Sequence, residues 1–222
     1  MSRVTQLREL LGYAPENQLP SLGAAVLAFK PVRDHLDGAG WEYPGTLLTE
    51  LRMHASPPIV EPADVAVNTE RAWERGPVSG IEIRAKLRDA ADRPVATCFF
   101  KLAHGVAPRP PAPSPSPTEP KPCAKRFTVS ATQIAAAVQL LGDDNPIHTA
   151  TPAVAPGLLV LGLALQRHFD ADSTQLREIS ARFLSPVAVG ERPVELAVFG
   201  TDAGFTVTDS HGWPLIEGRV KL

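Results

Sequence analysis

The chain has 222 residues, of which 44% are apolar and 21% are charged, so it can bury one large hydrophobic core or two smaller ones. A formal net charge of −2, with Lys and Arg scattered along the chain, argues against a nucleic-acid binder or a membrane-surface protein. The longest apolar run, residues 158–165, is too short to span a bilayer, and residues 1–11 lack the apolar region of a secretory signal. We therefore expect a cytoplasmic protein.

The two cysteines, Cys98 and Cys123, show neither a CxxC spacing nor a nearby histidine pattern. We therefore expect two free thiols in a reducing compartment and no bound metal.

The first half of the chain begins with helical patterns and continues with strands. Apolar residues recur at helical spacing in residues 2–11 and 19–37, and Pro31 is expected to break or kink the second helix. After the Trp-Glu-Tyr-Pro-Gly turn, apolar and polar residues alternate, which predicts strands over residues 47–54, 63–70, 78–88 and 94–104. This order indicates helices followed by an antiparallel meander with one wet face.

A proline-rich segment, residues 106–125, separates the two halves, with prolines at positions 108, 110, 111, 113, 115, 117, 120 and 122. Such a segment has little apolar surface to bury and few backbone donors, which predicts an extended, semi-rigid linker rather than a polyproline ligand. It divides the chain into an N-terminal domain over residues 1–105 and a C-terminal domain over residues 126–222.

The second half repeats this order of elements. A short strand ends at Val129, and Ser130 is a suitable N-cap for a helix over residues 131–141, with Gln133 completing a capping box. Residues 157–169 are apolar on nearly every side, which predicts a helix buried against a sheet. Strands follow over residues 176–186, 192–201, 205–210 and 215–222. A helix wrapped by an antiparallel sheet, formed twice, is the simplest α+β architecture for this pattern.

A polar turn, Gly-Asp-Asp-Asn-Pro-Ile-His over residues 142–148, lies between the two helices of the second half. Asn145-Pro146 is a dipeptide that ends helices, so Asp143 and His148 cannot stack on one helix face, but the turn can bring both side chains to one point. A carboxylate and an imidazole at one point suit acid/base catalysis. Each residue alone also fits an ordinary turn, so the neighbouring motifs decide the interpretation.

Three stretches together resemble the MaoC-like family of (R)-specific enoyl-thioester hydratases and 3-hydroxyacyl-thioester dehydratases. They are residues 127–130 with their helix, the turn over residues 142–148, and the Leu-Arg-Glu-Ile-Ser-Ala-Arg-Phe-Leu-Ser-Pro-Val stretch of residues 176–187. The resemblance is clear over residues 126–222, and the first half is similar in layout to the degenerate hotdog of two-hotdog members. It implies a double hotdog, in which each half is an antiparallel sheet wrapped around a central helix.

The resemblance also implies roles for individual residues. Asp143 and His148 match the catalytic pair, which is expected to hold one water between its two side chains. Asn145 matches a supporting residue, and Gly157 matches the glycine whose backbone N–H faces the thioester carbonyl, whereas Asp144 is assigned no role. The implied reaction is reversible hydration of a trans-2-enoyl thioester to an (R)-3-hydroxyacyl thioester in fatty-acid or polyketide-type metabolism.

The expected substrate is carried on coenzyme A or on an acyl carrier protein, and no metal or other cofactor is expected. The expected assembly is an internal pairing of the two halves, with a homodimer or a partner hotdog subunit as further options.

The chain departs from the family between His148 and Gly157, where the bridge is shorter and Pro156-Gly157 replaces the usual His-Gly. We expect a site that is more open, reshaped, or served by the first half or by another chain. Trp41, Tyr43 and Trp73 are candidate apolar contacts from the first half, although core packing is the favoured use of each. The short bridge also gives weight to an alternative, a non-catalytic hotdog that binds acyl thioesters or stabilises a partner subunit. A hotdog thioesterase is less favoured, because residues 157–169 contain no Asp or Glu.

Overall fold

A computed structural model describes residues 3–13, 20–57, 59–105, 124–169, 175–201 and 203–222. Its helices are α1 (Arg3–Leu11), α2 (Gly23–Gly38), α3 (Ala131–Leu141) and α4 (Gly157–Phe169), with a 3-10 turn at Pro146–His148. The strands of the first half are β1 (Leu47–Ala55), β2 (Asp64–Arg75), β3 (Val78–Arg88) and β4 (Pro94–His104). Those of the second half are β5 (Lys125–Val129), β6 (Ala153–Val154), β7 (Glu178–Phe183), β8 (Ala188–Val189), β9 (Val194–Gly200), β10 (Gly204–Thr208) and β11 (Pro214–Lys221).

One antiparallel sheet crosses both halves of the chain. Its nine strands lie in the order β2-β3-β4-β1-β7-β11-β10-β9-β5, and β6 pairs separately with β8. The halves join where β1 pairs with β7, with Met53 opposite Ile179. In the first half α2 packs on β2, β3 and β4, and in the second half α4 packs on β5 and β9. This arrangement confirms the predicted double hotdog, with a helix on the antiparallel sheet of each half.

The central helix of the first half continues through Pro31, where the sequence predicted a break or a kink, so no break occurs. Helix α2 runs from Gly23 to Gly38 with Pro31 inside it, while the predicted start at residue 19 lies outside the described residues. A proline has no N–H for the carbonyl four residues earlier, which here belongs to Leu27. The guanidinium of Arg3 donates hydrogen bonds to the carbonyls of Val26 and Leu27 at 3.3 and 3.4 Å, and to that of Leu140 at 3.0 Å. The interior proline is therefore accommodated because an arginine of α1 bonds the carbonyl that it leaves free.

The two helices that flank the polar turn have the predicted bounds, and their local signals account for them. The Ser130 hydroxyl accepts from the backbone N–H of Gln133, and the Gln133 side chain accepts from the N–H of Ser130, which forms the predicted capping box. Helix α3 ends at Gly142 in the left-handed conformation, with φ 64°, where a glycine is favoured. Helix α4 is apolar on several sides because α1 covers part of it: a Cβ at Gly162 would lie 2.8 Å from Leu11.

The predicted linker lies mostly outside the described residues, as does Cys123. Strand β5 begins at Lys125, the last residue assigned to the linker. Cys98 is a buried free cysteine on β4, and its burial raises the pKa of its thiol. In the described part of the chain, no helix combines the length and the apolar character needed to cross a membrane.

Candidate active site

The polar turn brings Asp143 and His148 into direct contact. Gly142 turns the chain out of α3, and the 3-10 turn at Pro146–His148 folds the imidazole back toward the carboxylate. His148 Nε2 lies 3.1 Å from Asp143 Oδ2, and the two residues are only 8% and 4% exposed. The sequence predicted that this turn could bring the two side chains to one point, and the structure places them within hydrogen-bond distance.

The contact made by Nδ1 of His148 shows that this nitrogen carries a proton. Nδ1 lies 2.5 Å from the carbonyl oxygen of Val154, and because a carbonyl only accepts hydrogen bonds, Nδ1 carries a proton. The contact between Nε2 and Asp143 Oδ2 then requires one further proton, which the two groups share. Burial lowers the pKa of His148, but the hydrogen bond and negative charge of Asp143, together with the Val154 carbonyl, raise it above its ordinary value.

This direct contact refines the expectation that the pair holds one water between its side chains. At 3.1 Å from Nε2 to Oδ2, no water fits between the two atoms. A water that contacts both groups must therefore lie beside the pair, on the side that faces the cavity.

The other oxygen of the Asp143 carboxylate is held by two donors. Tyr43 donates its phenolic hydroxyl to Oδ1 at 2.9 Å, and the backbone N–H of Asn145 donates to the same oxygen at 3.2 Å. Oδ1 is thus engaged on one side while Oδ2 faces His148. The carboxylate is therefore contacted on both oxygens, which fixes its plane.

Asn145 fastens the turn to the first half of the chain. Its side-chain Nδ2 donates to the carbonyl of Thr46 at 2.8 Å, and its Oδ1 accepts from the N–H of Gly45 at 3.1 Å and from that of Ile147 at 3.4 Å. Asn145 is 2% exposed, so these bonds satisfy an amide that is out of reach of solvent. The residue supports the turn through its backbone neighbours, and it contacts the Asp143 carboxylate only through its N–H.

Arg33 of α2 connects the same turn to the first half from its outer side. Its guanidinium carbon lies 3.9 Å from the centroid of the Tyr43 ring, and its Nε donates to Asp144 Oδ1 at 3.0 Å. It also pairs with Asp37 on its own helix. Asp144, which was assigned no role, is thus one end of an ion pair between the halves, although its side chain is 74% exposed.

The pair opens onto a cavity of about 240 Å³ that both halves line. The first half contributes Phe29, residues Thr46 to Thr49 and Leu102, and the second half contributes the polar turn, the start of α4 and residues 183–187. Among the described lining residues, only Tyr43, Asp143 and His148 carry titratable side chains. The three titratable groups therefore face a largely apolar chamber, in which charges interact more strongly than in water.

The N-terminus of α4 forms another part of this cavity wall. Pro156, Gly157 and Leu158 line the cavity, and the carbonyl of Pro156 accepts from the N–H groups of Leu159 and Val160. Within the described part of the chain, no hydrogen-bond acceptor pairs with the N–H of Gly157 or Leu158. A Cβ at Gly157 would lie 2.8 Å from Cε1 of Phe183, so the glycine also allows the helix to pack closely on β7.

Of the three aromatic candidates in the first half, only Tyr43 lines the cavity. Trp41 donates its indole N–H to the Thr46 hydroxyl at 3.2 Å, while Trp73 packs over Gly80 of the neighbouring strand. The sequence predicted an apolar contact for Tyr43 and missed its hydrogen bond to Asp143. One signal was available, because a tyrosine buried in a turn needs a partner for its hydroxyl.

The site has no evident metal-binding arrangement: within the described ranges, no cluster of three His, Cys, Asp or Glu side chains is placed to hold an ion.

Comparisons with known proteins identify the fold. No family model and no curated protein sequence matches the chain. Among solved structures, HtdX of Mycobacterium tuberculosis is similar with a TM-score of 0.75 at 19% identity, over 98% of this chain and 93% of that chain. A MaoC-like dehydratase from Phytophthora capsici has a TM-score of 0.69 at 16% identity, over 98% of this chain and 90% of that chain.

An acyl-ACP thioesterase from Bacteroides thetaiotaomicron is also similar, with a TM-score of 0.59 at 12% identity, over 94% of this chain and 91% of that chain. The fold is therefore the hotdog fold of MaoC-like dehydratases, as the sequence resemblance predicted. The same fold also carries a different acyl-thioester chemistry, so the function has to be argued from the site.

Proposed function

We propose that this protein is a hydro-lyase that interconverts trans-2-enoyl thioesters and (R)-3-hydroxyacyl thioesters, with Asp143 and His148 as its catalytic residues. Its substrates are carried on coenzyme A or on an acyl carrier protein. The observation that carries the proposal is the buried contact between Asp143 and His148, which opens onto an apolar cavity beside the N-terminus of α4.

The proton balance of the site suits addition and loss of water. In the hydration direction, a water beside the pair attacks the β carbon and gives one proton to the Asp143–His148 pair. The thioester becomes an enolate, and the pair returns one proton to its α carbon. The pair ends in its starting protonation state, and dehydration reverses each transfer. Because both groups lie on one wall of the cavity, water adds to one face of the double bond.

The N-terminus of α4 suits the charge that develops during this reaction. As the β carbon is attacked, negative charge accumulates on the thioester oxygen. Backbone N–H groups at a helix N-terminus stabilise such an oxyanion, both as hydrogen-bond donors and through the positive end of the helix dipole. In this proposal the N–H of Gly157 meets the thioester oxygen, and Asn145 keeps the polar turn in place.

Hydration of crotonyl-CoA, and of the same acyl group on an acyl carrier protein, tests the proposal directly. We expect loss of the enoyl absorbance with the wild type, and a rate lower by about 10²–10⁴-fold in Asp143→Asn and in His148→Ala, the range typical for one acid/base group. Asp92→Asn is the matched control, because it neutralises an exposed carboxylate in the turn between β3 and β4, outside the cavity lining. The ratio of rates on the two carriers identifies the preferred one.

The same assay separates the alternatives. Release of free thiol in step with the loss of the enoyl absorbance would indicate a thioesterase, whereas hydration releases no thiol; α4, from Gly157 to Phe169, carries no carboxylate for thioester hydrolysis. Binding of the acyl thioester without turnover would indicate a non-catalytic hotdog. A wild-type protein that is inert on both carriers across acyl chain lengths would overturn the proposed reaction.

A further inference from the structure

The first half of the chain lacks the Asp-x-Asn-Pro-x-His motif, yet it supplies a side chain to the catalytic pair of the second half. Tyr43 follows α2 and is 3% exposed, and its hydroxyl lies 2.9 Å from Asp143 Oδ1. We infer that Tyr43 is a positioning residue for the proposed reaction: its hydroxyl holds Oδ1 of Asp143, so that Oδ2 stays against His148 and the cavity. This inference rests on the proposed function and adds a residue that the motif does not contain.

The geometry explains why a second donor is needed. The carboxylate torsion of an aspartate is broad and roughly two-fold, so one contact to Oδ2 does not fix the plane of the group. Tyr43 and the backbone N–H of Asn145 both donate to Oδ1, and His148 contacts Oδ2. Because two donors already engage Oδ1, Oδ2 is the carboxylate oxygen that remains free to exchange a proton with His148 or with a water in the cavity. Tyr43 is the one side-chain donor to Oδ1 in the described structure.

Tyr43 is itself held firmly enough to orient another group. The guanidinium of Arg33 lies against its ring, and that guanidinium is in turn paired with Asp144, the residue next to Asp143. Burial and the charge of Asp143 raise the pKa of the Tyr43 phenol far above its ordinary value. The hydroxyl therefore stays protonated at every pH at which the protein works, which suits a fixed donor and not a group that passes protons on.

A fixed donor on Oδ1 has a predictable effect on the pH dependence. The Tyr43 hydrogen bond stabilises the ionised carboxylate, so its removal makes the Asp143–His148 pair harder to deprotonate. The acid limb of the rate profile should then move to higher pH. A residue that only filled space would not move that limb.

The first experiment compares Tyr43→Phe with Tyr13→Phe. The chain has only two tyrosines, and both are buried, so Tyr13→Phe removes the same hydroxyl outside the cavity lining. For Tyr43→Phe we expect kcat to fall by about 10–100-fold, as for a misplaced catalytic group, with KM changed less than about twofold. The acid limb should move to higher pH in this variant and stay in place in Tyr13→Phe.

A second readout does not depend on the reaction. The titration of the His148 imidazole, followed by NMR on histidine-labelled protein, should have a higher midpoint in Tyr43→Phe than in wild type and an unchanged midpoint in Tyr13→Phe. If wild type proves inert on enoyl thioesters, the proposed function fails, but this midpoint still tests the link from Tyr43 to the pair. The inference would be overturned if Tyr43→Phe had the same kcat, the same pH profile and the same His148 titration midpoint as wild type.

A third measurement keeps the Tyr43 hydroxyl in place and changes only its strength as a donor. It tests the inference even if Tyr43→Phe does not fold. In a Tyr13→Phe background Tyr43 is the sole tyrosine, so growth on 3-fluorotyrosine labels it alone. Fluorine makes the phenol a stronger donor, so the acid limb and the His148 midpoint should move to lower pH, opposite to Tyr43→Phe. No shift, or a shift to higher pH, would refute the positioning role.

Discussion

Replacing Gly157 by alanine tests the close contact that places the start of α4 at the cavity. A Cβ at this position would lie 2.8 Å from Cε1 and 3.0 Å from Cδ1 of Phe183. The nearer distance is about 0.7 Å shorter than an ordinary carbon–carbon contact of about 3.5 Å. Either the Phe183 ring retreats or the helix N-terminus moves, and both disturb the cavity wall, because both residues line it.

The magnitude follows from the cost of overpacking a core. One extra methyl group forced into a well-packed site typically costs about 1–3 kcal/mol. For a chain of this size, each kcal/mol lowers the midpoint of thermal unfolding by about 2–4 °C, so Gly157→Ala should unfold about 2–12 °C below wild type. If the thioester oxygen meets this helix end, the hydration rate should also fall by about 10-fold or more, because the donor is displaced.

Thermal unfolding followed by circular dichroism measures the change, with Gly190→Ala as the matched control. A Cβ at Gly190 meets nothing within 4 Å, so the control should unfold close to wild type. Phe183→Leu removes the ring from the path of the new methyl, and Gly157→Ala should therefore cost less in that background than in wild type. If Gly157→Ala is as stable as Gly190→Ala, or costs the same in the Phe183→Leu background as in wild type, the packing argument is wrong.

Two further predictions concern stability. Arg3→Met should lower the free energy of unfolding, measured by urea titration, by about 1–3 kcal/mol, because the carbonyl of Leu27 loses its donor. Its control is Gln6→Met on the exposed side of α1, which should change the free energy of unfolding by less than about 0.5 kcal/mol. Because the pKa of His148 is raised in the folded protein, the protonated imidazole stabilises the fold at acidic pH, and this contribution is lost as the pH rises through the raised pKa. As the pH rises above about 6.5, wild type should therefore lose more stability than Asp143→Asn. Parallel pH profiles of the two proteins would contradict the coupling.

Local signals account for the parts of the fold that the sequence predicted well. The bounds of α3 follow from the Ser130–Gln133 capping box and from Gly142, which lie next to the residues they control. Helix α4 follows from an apolar run that begins after Pro156. The strands were placed in order, although their ends were less accurate: β2 continues to Arg75, beyond the predicted end at residue 70. The end of β2 is set by pairing with β3, since Arg75 pairs with Val78 across a two-residue turn, and the polar residues of this segment give no alternation to detect.

The parts that the sequence did not predict are contacts between distant segments. Nothing near Pro31 indicates that Arg3 of another helix bonds the carbonyl that the proline leaves free. The two-residue strands β6 and β8 have no periodicity to detect, and they exist because Ala153 and Val154 pair with Val189 and Ala188. Tyr43 and Asp143 are a hundred residues apart in the sequence, yet their side chains form a hydrogen bond.

The candidate site shows why the motif of the second half is incomplete without the first half. Asp143 and Asn145 are nearly fully buried, and buried polar groups cost free energy unless they are hydrogen-bonded. The second half supplies His148 to the carboxylate, but the hydroxyl on Oδ1 comes from Tyr43, and the amide of Asn145 is satisfied by the backbone of Gly45 and Thr46. Without the first half, Asn145 Nδ2 would lose its acceptor, and Asp143 Oδ1 and Asn145 Oδ1 would each lose one of their two donors.

The sheet makes the same point on a larger scale. Without β1, the edge of β7 would be open along residues 178–182, where its backbone now pairs with β1. The half without the motif thus pairs with the edge of β7, bonds the buried turn and lines part of the cavity. The first half contributes the Tyr43 hydroxyl, two backbone groups, the Arg33 guanidinium and apolar surface to the site. These contributions come from separate positions and form no recognisable motif, which is why the sequence of the first half gave no sign of them.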